Sequence, residues 1–135
     1  MKRALHLTGC SLLLFALILE ILPYGATLRF ATDEEILVRT FSYFSFIPFG
    51  YANFSPMITG ILTASSLFVS LYTMIKRKNS KSKLLLYFNL VVFVTSLAPL
   101  LDGVEYYNGV AFTVSLLLLL SLLTNVVSCF LQTEY

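Results

Sequence analysis

Four stretches of the chain, roughly residues 4–22, 56–75, 84–101 and 109–131, stay apolar for about the twenty residues that an α-helix needs to cross a hydrocarbon layer about 30 Å thick. The only charge inside them is Glu20. Lipid offers no partner to a free backbone N–H or C=O, and the runs lack the alternation of a membrane barrel, so each is read as a helix rather than a strand. The rest of the composition agrees. Charged residues make up 12% of the 135 and hydrophobic ones 58%, where soluble domains carry about 25% and about 45–50%. That balance excludes a disordered chain, a soluble enzyme and a disulfide-stapled secreted module. The predicted fold is all-α, a four-helix transmembrane bundle forming a single integral membrane domain over residues 1–135.

Orientation follows from the basic residues. Lys2 and Arg3 precede the first span, and Lys76, Arg77, Lys78, Lys81 and Lys83 crowd the connection 76–83, so seven of the nine basic residues lie on one side. Arg29 and Arg39 lie on the other. The positive-inside rule places both termini and the 76–83 connection in the cytoplasm of a multi-pass cell-membrane protein. The same basic run should attract anionic lipid, at about 1 kcal/mol per charge near the surface, rather than nucleic acid. Asp33, Glu34, Glu35, Asp102 and Glu105 fall outside, with the short turn 102–108 opened by Asp102-Gly103. Two processing alternatives touch the first span. Cleavage as a signal peptide near Tyr24-Gly25-Ala26 would put a bulky tyrosine where a small residue is wanted, and Leu7-Thr8-Gly9-Cys10 imitates a lipobox but precedes the apolar run that a lipobox should follow. An uncleaved first span is the expectation.

The outer connection 23–55 is long for a segment with no structure of its own. Thr32-Asp33-Glu34-Glu35 has the form of a capping box, which predicts a short helix through Ile36-Leu37-Val38. After it come seven of the chain's twenty aromatic residues: Phe41, Tyr43, Phe44, Phe46, Phe49, Tyr51 and Phe54. This strip should cap the outer end of the bundle or lie in the headgroup layer; an aromatic-walled site for a lipid or hydrophobic ligand is the alternative. The run from Phe41 to Phe44 and from Pro48 to Pro56 resembles a segment of small four-span membrane proteins of Gram-positive bacteria. That resemblance covers mainly this segment and the topology, and implies a bacterial cytoplasmic membrane but no activity.

Within the spans, Ser55 and Pro56 suit the start of a helix. Gly60 with Ala64, and Ser66 with Ser70, are small residues four apart that let helix backbones approach, which predicts a central place for the second span. Asn89 and Asn125 lie at similar depth and could bond to each other, while Ser121, Thr124, Asn125 and Ser128 share a face that should turn inward, as helix-to-helix glue or as the lining of a solute path. Pro99 should kink or end the third span.

Glu20 carries the sharpest hypothesis. Small four-span multidrug exporters have a glutamate in their first helix, but here Glu20 lies near the helix end, the first outer connection is much longer, and the chain has no Trp. Either it reaches the outer headgroups or pairs with Arg29 or Arg39, or it serves proton or cation coupling with Asp102 and Glu105. Catalytic sets are missing by sidedness: His6 and both cysteines, Cys10 and Cys129, sit near the cytoplasmic face, away from nearly all acids. The expectation is a non-enzymatic accessory or structural protein without cofactor, working with membrane lipids and with a larger membrane subunit or a copy of itself. A small oligomeric transporter or channel with an acidic outer mouth is the alternative.

Overall fold

The computed structural model describes residues 2–31, 36–76 and 82–133. The elements run α1 (Lys2–Ile21), β1 (Ala26–Ala31), β2 (Ile36–Phe41), α2 (Phe46–Gly50), α3 (Ser55–Lys76), α4 (Ser82–Ser96), α5 (Pro99–Asp102), a 3₁₀ turn (Val104–Tyr106) and α6 (Gly109–Thr133). Among the described residues, four helical segments are long and apolar enough to span a membrane: Ala4–Ile21, Ser55–Ile75, Lys83–Asp102 and Gly109–Leu131. The third is α4 and α5 in line. It breaks at Leu97 and Ala98, immediately before Pro99, whose ring and missing N–H interrupt the helical ladder.

The four spans form a ring in which α1 packs on α6 and α3, and α4 packs on the same two helices. Lys2 and Thr133 therefore lie at one end, as the pairing of His6 with Ser128 shows, and the β-hairpin, α2, α5 and the 3₁₀ turn gather at the other. A core of Leu13, Ala16, Val92, Val114 and Leu118 runs up the middle and continues at the hairpin end into Ala26 and Tyr43. Phe15, Phe68, Val94 and Phe112 point away from the bundle. Apolar flanks around a partly polar interior are what lipid as a solvent selects. The second span is not the central one: the apolar eighteen-residue stretch of α6 is 39% buried, against 28% in each of the others.

The hairpin end departs from the all-α expectation. Ile36-Leu37-Val38 is not a helix but the first half of β2, antiparallel to β1 in the register Ala26↔Phe41 through Ala31↔Ile36. A helix that starts at Thr32 and ends by Val38 closes only two or three i→i−4 bonds, whereas pairing with β1 gives these residues and the β-branched Val38 and Thr40 ladder partners. Thr32 to Glu35, the predicted capping box, lie outside the described residues, as do Arg77, Lys78 and Lys81 of the basic run. The short helix of this segment forms later, as α2. Ser45 caps it by accepting from the Ile47 N–H at 3.3 Å, and Pro48 sits in the first turn, where its missing N–H is harmless.

Two aromatic rings fasten this end to the bundle through glycines. A Cβ on Gly25 would lie 2.7 Å from the Tyr43 ring, and one on Gly60 would lie 2.9 Å from the Phe44 ring. Gly60 therefore makes room for an aromatic side chain of the cap rather than for a neighbouring helix backbone. The close helix approach falls instead at Gly9 of α1, where a Cβ would stand 3.0 Å from Thr124 Oγ1 of α6. Asn108 closes the same end: its Nδ2 donates to Tyr24 O at 2.7 Å and Thr27 Oγ1 at 2.9 Å, while its Oδ1 accepts from the Ala111 N–H at 2.8 Å and caps α6.

Candidate functional site

Thr59, Thr63, Ser66 and Ser70 follow one another on α3 at spacings of four, three and four, so they share a face. All four are buried. At 1.5 Å per residue the stripe climbs about 16 Å through the bundle, and each lower member meets a polar group from another helix. The Thr63 hydroxyl is 2.9 Å from Glu20 Oε1 of α1 and 3.0 Å from Thr59 O, sharing its proton between them. Ser66 donates to Asn89 Oδ1 of α4. Ser70 Oγ lies 2.9 Å from Cys10 Sγ of α1. Of the small-residue pairs read from the sequence, Ser66 and Ser70 thus act through their hydroxyls.

Glu20 is 0% exposed, which overturns the expectation that its carboxylate reaches the headgroups or an arginine. Arg29 is held instead by Glu105, Nη1 to Oε1 at 2.5 Å. Glu20 Oε2 is buried without a hydrogen-bond partner among the described residues. Its main chain is as busy as its side chain: Glu20 O accepts from Tyr43 N–H at 2.9 Å and from Ser42 Oγ at 3.0 Å. One residue in the last turn of α1 thus binds α3 through its carboxyl and the outer cap through its carbonyl. Beside it, burial pushes the Tyr43 phenol well above the ordinary tyrosine range, with the charges of Glu20 and Tyr107 adding to the effect.

The expected Asn89–Asn125 bond does not form. Asn89 turns to Ser66, leaving its buried Nδ2 without a partner, and Asn125 Nδ2 returns to Ser121 O of its own helix at 3.0 Å. Ring order explains it: α6 meets α1 along the face carrying Ser121, Asn125 and Ser128, where Ser121 donates to Gly9 O at 3.4 Å and Ser128 Oγ lies 3.2 Å from His6 Nε2. Among the described residues no three His, Cys, Asp or Glu side chains gather to hold a metal ion, and Cys10 and Cys129 are free thiols.

A second feature lies at the hairpin end, a cleft of about 390 Å³ between β1, the turn after α2 and the end of α5. Arg29, Phe30, Tyr51, Asn53, Asp102 and Tyr106 line it. Phe30 and Tyr51 meet edge to face, with centroids 5.2 Å apart and planes at 88°; Phe49 and Phe54 form a similar pair behind, at 4.8 Å and 77°. Ala52 holds a φ of +62°, left-handed backbone that a residue with a Cβ rarely adopts, so the turn presenting Tyr51 is imposed by its surroundings. Asp102 and Glu105, grouped with Glu20 in the sequence reading, belong to this end and not to the buried seam. Of the predicted aromatic cap, Tyr43 and Phe44 are anchored inward while Phe46, Phe49, Tyr51 and Phe54 stay largely exposed. Comparison of the chain with protein-family models, curated proteins and solved structures finds no match.

Proposed function

We propose that the chain is a non-enzymatic accessory or structural subunit of a membrane assembly, lying in a bacterial cytoplasmic membrane with both termini and the 76–83 connection inside and the hairpin outside. The placement of Lys2, Arg3 and the basic run supports the orientation. The observation that carries the role is β2. It is one of two strands, its free edge has no ladder partner among the described residues, and it holds Ile36, Leu37 and Val38 at 60%, 43% and 55% exposure. An unpaired apolar edge is a ready template for another chain, and here it stands clear of the bundle's own packing.

The test is purification of the full chain from its native membrane in mild detergent. A second polypeptide in fixed stoichiometry, lost when Ile36→Glu and Leu37→Lys charge the edge while the unfolding midpoint stays put, supports the role. A chain that runs alone, with and without the substitutions, refutes it.

The unpartnered Glu20 Oε2 favours a second reading, a small transporter or channel in which this carboxyl binds a proton or cation. Reconstituted vesicles separate the two. A coupled transporter loses pH-dependent flux on Glu20→Gln, and an accessory subunit has no such flux to lose.

A further inference from the structure

We propose that the cleft at the hairpin end is a binding site for an organic ammonium cation, seated among the rings of Phe30, Tyr51 and Tyr106 and facing the Asp102 carboxylate. The inference does not depend on a partner at β2 or on transport through the bundle.

Charge decides the sign of the ligand. Two side chains of opposite charge line the cleft, but Arg29 is already neutralised by Glu105, whereas Asp102 is exposed and has no ion-pair partner among the described residues. The local balance is one uncompensated negative charge. The walls decide the ligand's class. Phe30 and Tyr51 line the cleft as an edge-to-face pair, and Tyr106 supplies a third ring. Aromatic faces carry the negative side of the ring quadrupole and attract a weakly hydrated, delocalised cation such as an alkylated ammonium better than a strongly hydrated metal ion. A volume of about 390 Å³ is within the range of small-molecule sites and holds a choline-sized group with room for its tail. The turn that offers Tyr51 is held by Ala52 N–H to Phe49 O at 3.0 Å and Asn53 N–H to Pro48 O at 2.9 Å, which sets its backbone in advance of any ligand. Asp102 ends the third span and Asn53 lies two residues before the second, so the cleft stands at the height where lipid headgroups begin. The same chemistry is offered by a choline or ethanolamine headgroup and by a soluble amine.

Full-length chain in a non-ionic maltoside detergent is titrated with choline, and separately with 3,3-dimethylbutanol, its uncharged carbon isostere, while two-dimensional NMR follows the aromatic resonances. Saturable binding of choline, at least tenfold weaker binding of the isostere, and a loss of tenfold or more on Asp102→Asn and on Tyr51→Ala are expected. Both side chains are exposed, and an unchanged circular dichroism spectrum confirms folding; Tyr106→Leu is a third, independent wall. Nanodiscs identify the source. Competition by soluble choline in phosphatidylglycerol discs but not in phosphatidylcholine discs assigns the site to a headgroup, and equal binding in both assigns it to a soluble amine. Absence of saturable choline binding, equal binding of the isostere, or affinity unaffected by Asp102→Asn overturns the proposal.

Discussion

Replacing Gly60 with alanine tests whether this position seats the cap or a neighbouring helix. In a helix interior the change alone should help, since alanine is better than glycine by about 0.8–1.0 kcal/mol. The new methyl, however, would lie 2.9 Å from the tip of the Phe44 ring and 3.2 and 3.3 Å from the ring atoms beside it, and the ring is packed against the core and has little room to retreat. Overpacking of this kind costs about 1–3 kcal/mol. The net loss therefore runs from near zero to about 2 kcal/mol, because the propensity gain offsets part of the clash. A double-mutant cycle removes the ambiguity. On a Phe44→Ala background the clash is gone and Gly60→Ala should stabilise by its full propensity gain, so the helix term cancels between the two legs and the coupling energy equals the clash itself, about 1–3 kcal/mol. Equilibrium unfolding in mixed dodecyl sulfate and maltoside micelles, followed by far-ultraviolet circular dichroism, reads all four variants. If Gly60→Ala shifts stability equally in both backgrounds, Phe44 does not occupy the Gly60 slot and the account of the cap is wrong.

Ser66→Ala should cost about 0.6–1.7 kcal/mol, the range of hydrogen bonds between membrane helices, because it strips Asn89 of its donor when the buried Nδ2 already lacks a partner. Asn89→Leu on that background should recover most of the loss in the same unfolding assay, and failure to recover would place the effect elsewhere. Tyr43 should ionise above the ordinary tyrosine range, as a late step in an alkaline titration read at 295 nm. With the folded phenol raised above its unfolded value of about 10, its stabilising contribution is complete below that pH and is lost as the pH climbs beyond it, since the unfolded chain gives up the proton first. Tyr43→Phe should delete the late step; a late step that survives in the variant contradicts the burial.

The spans were legible because the signal is local. A run of about twenty apolar residues records the thickness of its solvent, and neither partner nor register is needed to read it. Pro99, which breaks the third span, and Ser45 with Pro48, which start α2, are equally local signals. The hairpin was not legible. Thr32-Asp33-Glu34-Glu35 satisfies a helix-start pattern, and Ile36-Leu37-Val38 lacks the alternation that would have argued for a strand, since both faces of β2 are exposed. Pairing with β1 supplied what periodicity did not. Gly60 shows the same limit from another side. A glycine four residues from Ala64 fits a helix neighbour and an inserted ring equally well, and Phe44, sixteen residues away, is selected by the path of the chain rather than by spacing. For Glu20 the residue was visible, but its environment depended on Thr63, which only the ring order of the helices brings within reach.

The two roles of Glu20 are carried by different atoms, and this makes the vesicle experiment interpretable. The last carbonyls of a helix have no intrahelical donor. At Glu20 that vacancy is filled by Tyr43 N–H and Ser42 Oγ, which fasten the cap to α1 through the main chain whatever side chain the position carries. The carboxyl is separately engaged, by Thr63 through Oε1. Glutamine keeps an acceptor oxygen for Thr63 and the same shape, and it replaces Oε2 with a group unable to take up a proton or balance a cation at neutral pH. Substitution to glutamine consequently leaves the cap attached and the α1–α3 hydrogen bond available, so a change in flux reports on the chemistry of one oxygen atom. Substitution to leucine would not, because it also strands the Thr63 hydroxyl from its interhelical partner. Loss of flux in both variants assigns Glu20 to charge chemistry; a chain without flux whose unfolding midpoint falls with leucine alone assigns it to the fastening of α1 to α3, which is the outcome an accessory subunit requires.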